Sequence, residues 1–426
     1  MIDPTKIELF EVQARPKGDP LLEPRSAVHR ALKELLPRLA LKPWDRVALA
    51  VGSRGIASLT EVVRAAVTFF QELGTLPFIV PAMGSHGGGT AVGQEEHLQR
   101  LGIDASTIGV PVQSTVETRI IGQADLADGG RLPIHFDRLA AKADHVVVIN
   151  RVKPHTRFGG AVQSGLSKMC LVGLGNPAGA NTIHHACLRR GFTAISRAAH
   201  PRLLTDTPLA CGLALVENSS KELALVRGGL AEDFIDLDAE LLPIASAWMP
   251  RLPLAEIDLL VVDVIGKEIS GTGMDTNVIG RKEDDTPPRV LRIFVRDLSS
   301  SSGGNATGIG FADAITESCA AKVNRTITTL NCFTALRPAG ARLPATFASD
   351  AAALQALLPT VGRGVEGDVK LVRITDTAHL DRFLVSRALL EELNNAPGFE
   401  LSGRCDSLRF DGHGQLMDNL KETPST

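Results

Sequence analysis

From Arg46 onward the chain alternates short, nearly continuous apolar runs with longer stretches in which apolar residues recur every three or four positions. The first kind fits buried strands and the second amphipathic helices, so the pattern predicts βαβ units and a parallel sheet. Arg46 to Val51 reads as a strand, Gly52-Ser53-Arg54-Gly55 as a turn, and Ser58-Leu59-Thr60-Glu61 as a capping box opening a helix that ends near Gly74. The plan then repeats. A strand from Phe78 to Pro81 leads into the loop Gly84-Ser85-His86-Gly87-Gly88-Gly89, after which Thr90 caps a helix running to about Leu101. A third apolar run, His145 to Asn150, gives way to Arg151-Val152-Lys153-Pro154-His155-Thr156-Arg157-Phe158-Gly159-Gly160, whose proline ends the strand.

The segment Met249-Pro250-Arg251-Leu252-Pro253 interrupts a helical pattern and predicts a boundary between domains at 1–250 and 254–426. In the second domain, strands are expected at 258–266, 289–296, 326–335 and 368–374, and helices at 311–324, 350–361 and 380–394. Ser299 to Gly304 reads either as a low-complexity linker or as an active-site loop. The expected fold class is α/β, with two α/β domains, mainly parallel sheets and an active-site cleft between them.

A length of 426 residues suits two domains. With 45 basic and 48 acidic residues intermingled, the net charge of −3 offers no broad attraction to nucleic acid or anionic lipid, which favours small-molecule chemistry. The six cysteines, Cys170, Cys187, Cys211, Cys319, Cys332 and Cys405, include no Cys-x-x-Cys pair and read as reduced core residues. No apolar run is long enough for a bilayer, and Met1-Ile2-Asp3-Pro4-Thr5-Lys6 has no signal-peptide stretch, so the expectation is a soluble cytoplasmic enzyme.

Ligands of open parallel sheets bind beyond the carboxyl ends of the strands, and Arg54, His86 and His155 all lie just past such ends. The richest stretch, Lys153 to His185, holds Lys153, His155, Arg157, Lys168, His184 and His185, interleaved with glycines that let backbone approach a bulky ligand. This suits a phosphate-bearing cofactor. A lone surface histidine beside glycines is more often incidental than catalytic, but His86 and His155 come from separate strand ends and can face one substrate as an acid/base pair. His184 and His185 point about a hundred degrees apart on a helix, so only one of them can face a given metal. A second polar loop, Gly266 to Lys282, offers Lys267, Arg281 or Lys282 as a grip for a substrate carboxylate, against the plainer reading of a solvated basic loop. The residues alone leave three classes open. These are an enzyme acting on a small anionic metabolite, a zinc- or iron-dependent lyase or hydrolase to which Asp275 adds a carboxylate, and a non-catalytic metabolite-binding protein. A nicotinamide dehydrogenase is disfavoured, because no complete Gly-x-Gly-x-x-Gly joins a strand to a helix.

Gly84-Ser85-His86, Lys153-Pro154-His155, Lys168 and His184, in that order, resemble the lactate racemase family and its 2-hydroxyacid racemase and epimerase relatives. That resemblance implies an isomerase using a nickel-pincer nucleotide (pyridinium-3,5-bisthiocarboxylic acid mononucleotide nickel), supplied by cofactor-maturation proteins. It further implies reversible proton-coupled hydride transfer through a 2-oxo acid. By the same resemblance His86 and His155 are the acid/base pair, His184 is the nickel ligand, and Lys168 with Gly52, Ser53 and Arg54 binds the cofactor. Lys267, Asp275, Asn277 and Arg281 are then the substrate contacts. Val51 stands where the family has an aspartate, and the interval from His155 to Lys168 is longer than in the lactate racemases.

Overall fold

The computed structural model describes residues 2–53, 55–282 and 287–417, those at 404 and 405 by backbone alone. The chain divides into two compact units, Lys17–Met249 and a second built from Met1–Pro16 with Pro250–Thr426. The first sixteen residues, expected in the N-terminal domain, thus belong to the other unit. Their strand Glu8–Ala14 is inserted between Arg382–Ser386 and Phe399–Ser407, antiparallel to both.

Among the described residues, the Lys17–Met249 unit carries a five-stranded sheet. Its order is Leu76–Pro81, Arg46–Val51, His145–Arg151, Leu209–Glu217 and Leu223–Leu230; the first four strands are parallel and the last is antiparallel. Val47 to Val51 are all buried because alternate side chains meet helices on opposite faces. Val47, Leu49 and Val51 pack with Val62, Ala66 and Phe70 of the helix Leu59–Glu72, while Ala48 and Ala50 face a core containing Phe192, Phe234 and Leu241. The capping box does not form. Ser58 adopts a left-handed conformation (φ 57°) without a side-chain cap, and the preceding amide of Ala57 donates instead to Glu217. Thr90 does cap its helix, Ala91–Arg100, by accepting from the Gly93 amide.

In the other unit, Ala345–Phe347, Ala314–Thr316, Arg289–Leu298, Glu256–Ile265 and Leu371–Ile374 form a parallel sheet in that order, continued by antiparallel neighbours. Three expectations are corrected there. Residues 326–335, read as a strand from their threonines and isoleucine, lie in the helix Arg325–Thr334; Asn324 caps it, and Thr328 and Cys332 are buried one turn apart. The expected helix at 311–324 is a strand, Ala314–Thr316, followed by a helix, Glu317–Lys322, that Thr316 caps. The helix expected at 380–394 begins instead as the strand Arg382–Ser386, where pairing with two neighbours overrides local helical preference. Ser299 to Gly304 is not a linker: Ser300–Ser302 form a tight turn inside this unit, and Ser302 accepts from the Lys267 amide at 2.9 Å and donates to Glu268. Cys170, Cys187, Cys211, Cys319 and Cys332 are free and buried, and no helix among the described residues is long and apolar enough to cross a membrane.

Candidate active site

The strands Leu76–Pro81, Arg46–Val51 and His145–Arg151 are parallel neighbours, so the loops that follow them leave the same edge of the sheet. Gly52 and Ser53 follow the central strand, His86 follows one neighbour, and the segment from Lys153 to Phe158 follows the other. Ser53 is buried, and its hydroxyl is hydrogen-bonded to Nδ1 of His86. His97, on the helix Ala91–Arg100, donates from Nε2 to the Ser53 carbonyl at 2.6 Å and so holds this turn from behind. Arg54, the remaining residue expected in the turn, lies outside the described residues.

After Arg151 the chain cannot continue pairing through Pro154, and it folds into a loop closed by side chains. Ser164 Oγ accepts from the Lys153 amide and donates to the Lys153 carbonyl, at 2.7 and 2.6 Å, and Gln163 accepts from the His155 amide at 2.9 Å. The His155 ring is held on its other side: Nδ1 accepts from the amides of Arg157 and Phe158, each at 3.1 Å. An Nδ1 that accepts two N–H groups places the proton of a neutral ring on Nε2. The ring also stacks on Phe158, with centroids 4.1 Å apart and planes 11° from parallel, and Phe158 stacks in turn on Phe192.

Phe158 is the hub of the constellation. Lys168 Nζ lies 5.6 Å from its ring centre and the His184 ring 6.1 Å away, so side chains from a loop and two helical segments converge on one aromatic ring. Lys168 ends the short helix Leu166–Lys168, which runs directly into a π-helical turn, Met169–Gly173. Gly173 permits this turn to pass hard against the strand end, where a Cβ would overlap Met169 Sδ and crowd the Ala82 carbonyl, and its own carbonyl accepts from the Gly84 amide at 3.1 Å. The loop carrying His86 and the segment carrying Lys168 are therefore joined by backbone.

His184 is half-buried and His185 exposed. Burial lowers the His184 pKa to about 4, helped by the positive charges of Lys168 and Arg157. At neutral pH its imidazole is therefore uncharged, and its ring nitrogens have no hydrogen-bond partner among the described residues, leaving a lone pair available to a metal. Nearby Cys187 is pushed up to about 12 by burial and remains a thiol. Among the described residues, no three His, Cys, Asp or Glu side chains gather into an all-protein metal site.

The candidate contacts in the other unit differ in what already occupies them. Arg281 donates to the Val290 carbonyl at 2.5 Å and lies near Asp313, and Lys267 donates to Asn331 at 3.2 Å. Asp275 is buried and accepts from both the backbone and side-chain amide of Asn277, an arrangement that shapes their own turn. Asn277 and Lys282 line a cavity of about 30 Å³ together with Arg251, Thr276 and Pro287. The Arg251 Nε is buried there without a hydrogen-bond partner among the described residues. In the sequence Arg251 stands out only within a helix-breaking segment, and Phe158 is marked only by its three-residue step from His155, the signal that carries the stack.

No protein-family model matches the sequence, and no curated protein matches it. Solved structures do. A structural-genomics protein from Thermotoga maritima superposes with a TM-score of 0.50 at 16% identity, over 66% of this chain and 71% of that one. The lactate racemase apoprotein from Thermoanaerobacterium thermosaccharolyticum superposes with a TM-score of 0.50 at 15% identity, over 86% of this chain and 98% of that one. At these identities the likeness establishes a shared fold.

Proposed function

We propose that this protein is a racemase or epimerase of a 2-hydroxy acid, an isomerase that works with a nickel-pincer nucleotide. The observation that carries the reading is the convergence of His155, Lys168 and His184 on Phe158, with His86 in a loop that leaves the same sheet edge, in a fold shared with a lactate racemase. The donor chemistry fits the group: His184 offers one neutral nitrogen where a cofactor would supply the remaining ligands, and Lys153, Arg157 and Lys168 supply positive charge suited to a phosphate. In this reading His184 holds the metal, while Gly52, Ser53, Arg54 and Lys168 hold the nucleotide. When bound, the group supplies an electron-poor ring able to take up hydride from the substrate's α-carbon and return it.

The chain's own residues handle the proton. His86, anchored to Ser53 Oγ through Nδ1, acts as the base toward a substrate hydroxyl in the tautomer that donates to Ser53 and leaves its lone pair on Nε2. His155, whose neutral ring bears its proton on Nε2, acts as the donor that returns a proton to the oxygen of a planar 2-oxo acid. Two histidines from separate strand ends suit a reaction whose two enantiomers are handled from opposite sides. For the substrate carboxylate the candidates are Lys267, Arg281 and Lys282, joined by Arg251, which lines a cavity with Asn277 and Lys282, while Asp275 and Asn277 remain candidates for other substrate contacts. Small 2-hydroxy acids and the cofactor-maturation proteins are the partners, and the free cysteines suit a reducing cytoplasm.

The test is metal analysis of protein produced together with the pincer-synthesis machinery, followed by chiral chromatography of a panel of 2-hydroxy acids. Nickel with isomerisation of a panel member is the expected result. Zinc or iron in its place, with no isomerisation, would replace this reading by a lyase or hydrolase.

A further inference from the structure

We infer that Asp238 is a positioning residue for Lys168: its carboxylate, 71 residues away in sequence from Ser167, fixes the turn from which the Lys168 ammonium is presented. Leu166–Lys168 begins without a cap of its own, because the preceding residue is Gly165, and the amides of Leu166 and Ser167 are buried where water does not reach them. Asp238, in the helix Phe234–Trp248, accepts from both, at 2.9 and 2.8 Å. Position 165 is shaped for this contact from the other side. Its φ is 88°, and a Cβ there would fall inside the Asp238 carboxylate.

Asp238 is only 1% exposed and forms no ion pair among the described residues, so the groups of this one turn, the Leu166 and Ser167 amides foremost, are what its oxygens meet. A buried carboxylate without a cation is costly to the fold, and a neutral Asn or Ser cap would hold a helix start at less cost. What the carboxyl group adds is two acceptor oxygens, one for each of two consecutive amides, which fix the turn in register with the π-helical segment and, through Gly173 and Gly84, with the loop of His86. Lys168 directly follows the second of those amides. The consequence for turnover rests on the reading that Lys168 serves the cofactor; the positioning itself does not.

The experiment reads Lys168 directly in the full-length, cofactor-free protein. Competitive labelling with acetic anhydride, followed by mass spectrometry, gives the rate at Lys168 relative to exposed Lys33 and Lys142. Asp238→Ala should change that rate about tenfold toward the exposed lysines, the size of a one-unit change in ammonium pKa, and Asp238→Asn, which keeps one acceptor, should give a smaller change. Gly165→Ala, which pushes the carboxylate away, should have an effect of the same kind, and less than additive with Asp238→Ala. Lys168 labelling unchanged in Asp238→Asn and in Gly165→Ala, with Lys33 and Lys142 labelling as in the wild type, would overturn the inference even if Asp238→Ala does not fold. Lys168→Ala that still retains nickel and turns over would instead remove the cofactor reading of Lys168 and leave the labelling result standing.

Discussion

In the unit built from Met1–Pro16 and Pro250–Thr426, the charges buried in the parallel sheet are matched. Arg373, 1% exposed, makes a two-pronged bond to Asp263, and Arg296 donates to both Asp263 and Asp350 and to the Leu416 carbonyl. Asp263, Arg296 and Arg373 come from three adjacent parallel strands, so this network ties the sheet to the last described segment. In the Lys17–Met249 unit, buried titratable groups are held by shifting their pKa values instead: His184 is lowered to about 4, and Asp238 is raised to about 7 by burial against the pull of its amide bonds. The difference separates scaffold from chemistry. A paired guanidinium has its donors committed and contributes shape, whereas a neutral imidazole in a half-buried site keeps a lone pair for a ligand.

The largest effects should come from the histidines of the Lys17–Met249 unit. His86→Ala and His155→Ala should each lower turnover by about 10²–10⁴-fold while metal content stays as in the wild type, as measured by chiral chromatography beside elemental analysis. His184→Ala should lose the metal. Retained turnover in all three would leave no distinction between the two regions.

Among the matched charges, Asp263→Ala should cost about 3–5 kcal/mol, because it removes both bonds to a fully buried Arg373, and urea denaturation would measure the loss. A loss near zero would mean that the network is as dispensable as an exposed pair. Phe158→Leu should cost about 1–2 kcal/mol, since a smaller side chain keeps the site apolar but loses the stack with His155, and its cost in turnover should exceed its cost in stability.

The smallest effect is a slope. The Asp238 carboxyl holds its proton in the fold up to about pH 7, whereas in the unfolded chain it releases it near pH 4, so the folded state binds more protons in that window. Its contribution to stability is therefore complete below about pH 4 and declines as pH rises toward 7. Asp238→Asn should flatten this part of the stability profile, as urea midpoints taken across the window would show. Arg373→Met should leave that slope unchanged, because Arg373 is not among the groups that shift Asp238.

How far each feature could be read in advance follows from its range along the chain. The strand Arg46–Val51 is an unbroken apolar run because helices cover both faces of its sheet, and that requirement is written in consecutive residues. The basic cluster from Lys153 to His185 was legible for the same reason: it lies within one loop and the helical segments that follow. The helix Arg325–Thr334 was misread because its β-branched residues favour strands locally, while a cap and a buried stripe decide otherwise. The placement of Glu8–Ala14 depends on partners at least 369 residues distant, and no local pattern records such a pairing.

The sequence by itself determined the α/β class, the loops past the strand ends and the residue types that crowd them, since these follow from periodicity, glycine and proline acting over a few neighbours. Only the tertiary structure decided that Phe158 gathers His155, Lys168 and His184, that His184 rather than His185 is shielded, and that Asp238 reaches the turn before Lys168. Those outcomes depend on burial and on bonds between distant segments, and desolvation acts on a side chain only once the fold has chosen its surroundings.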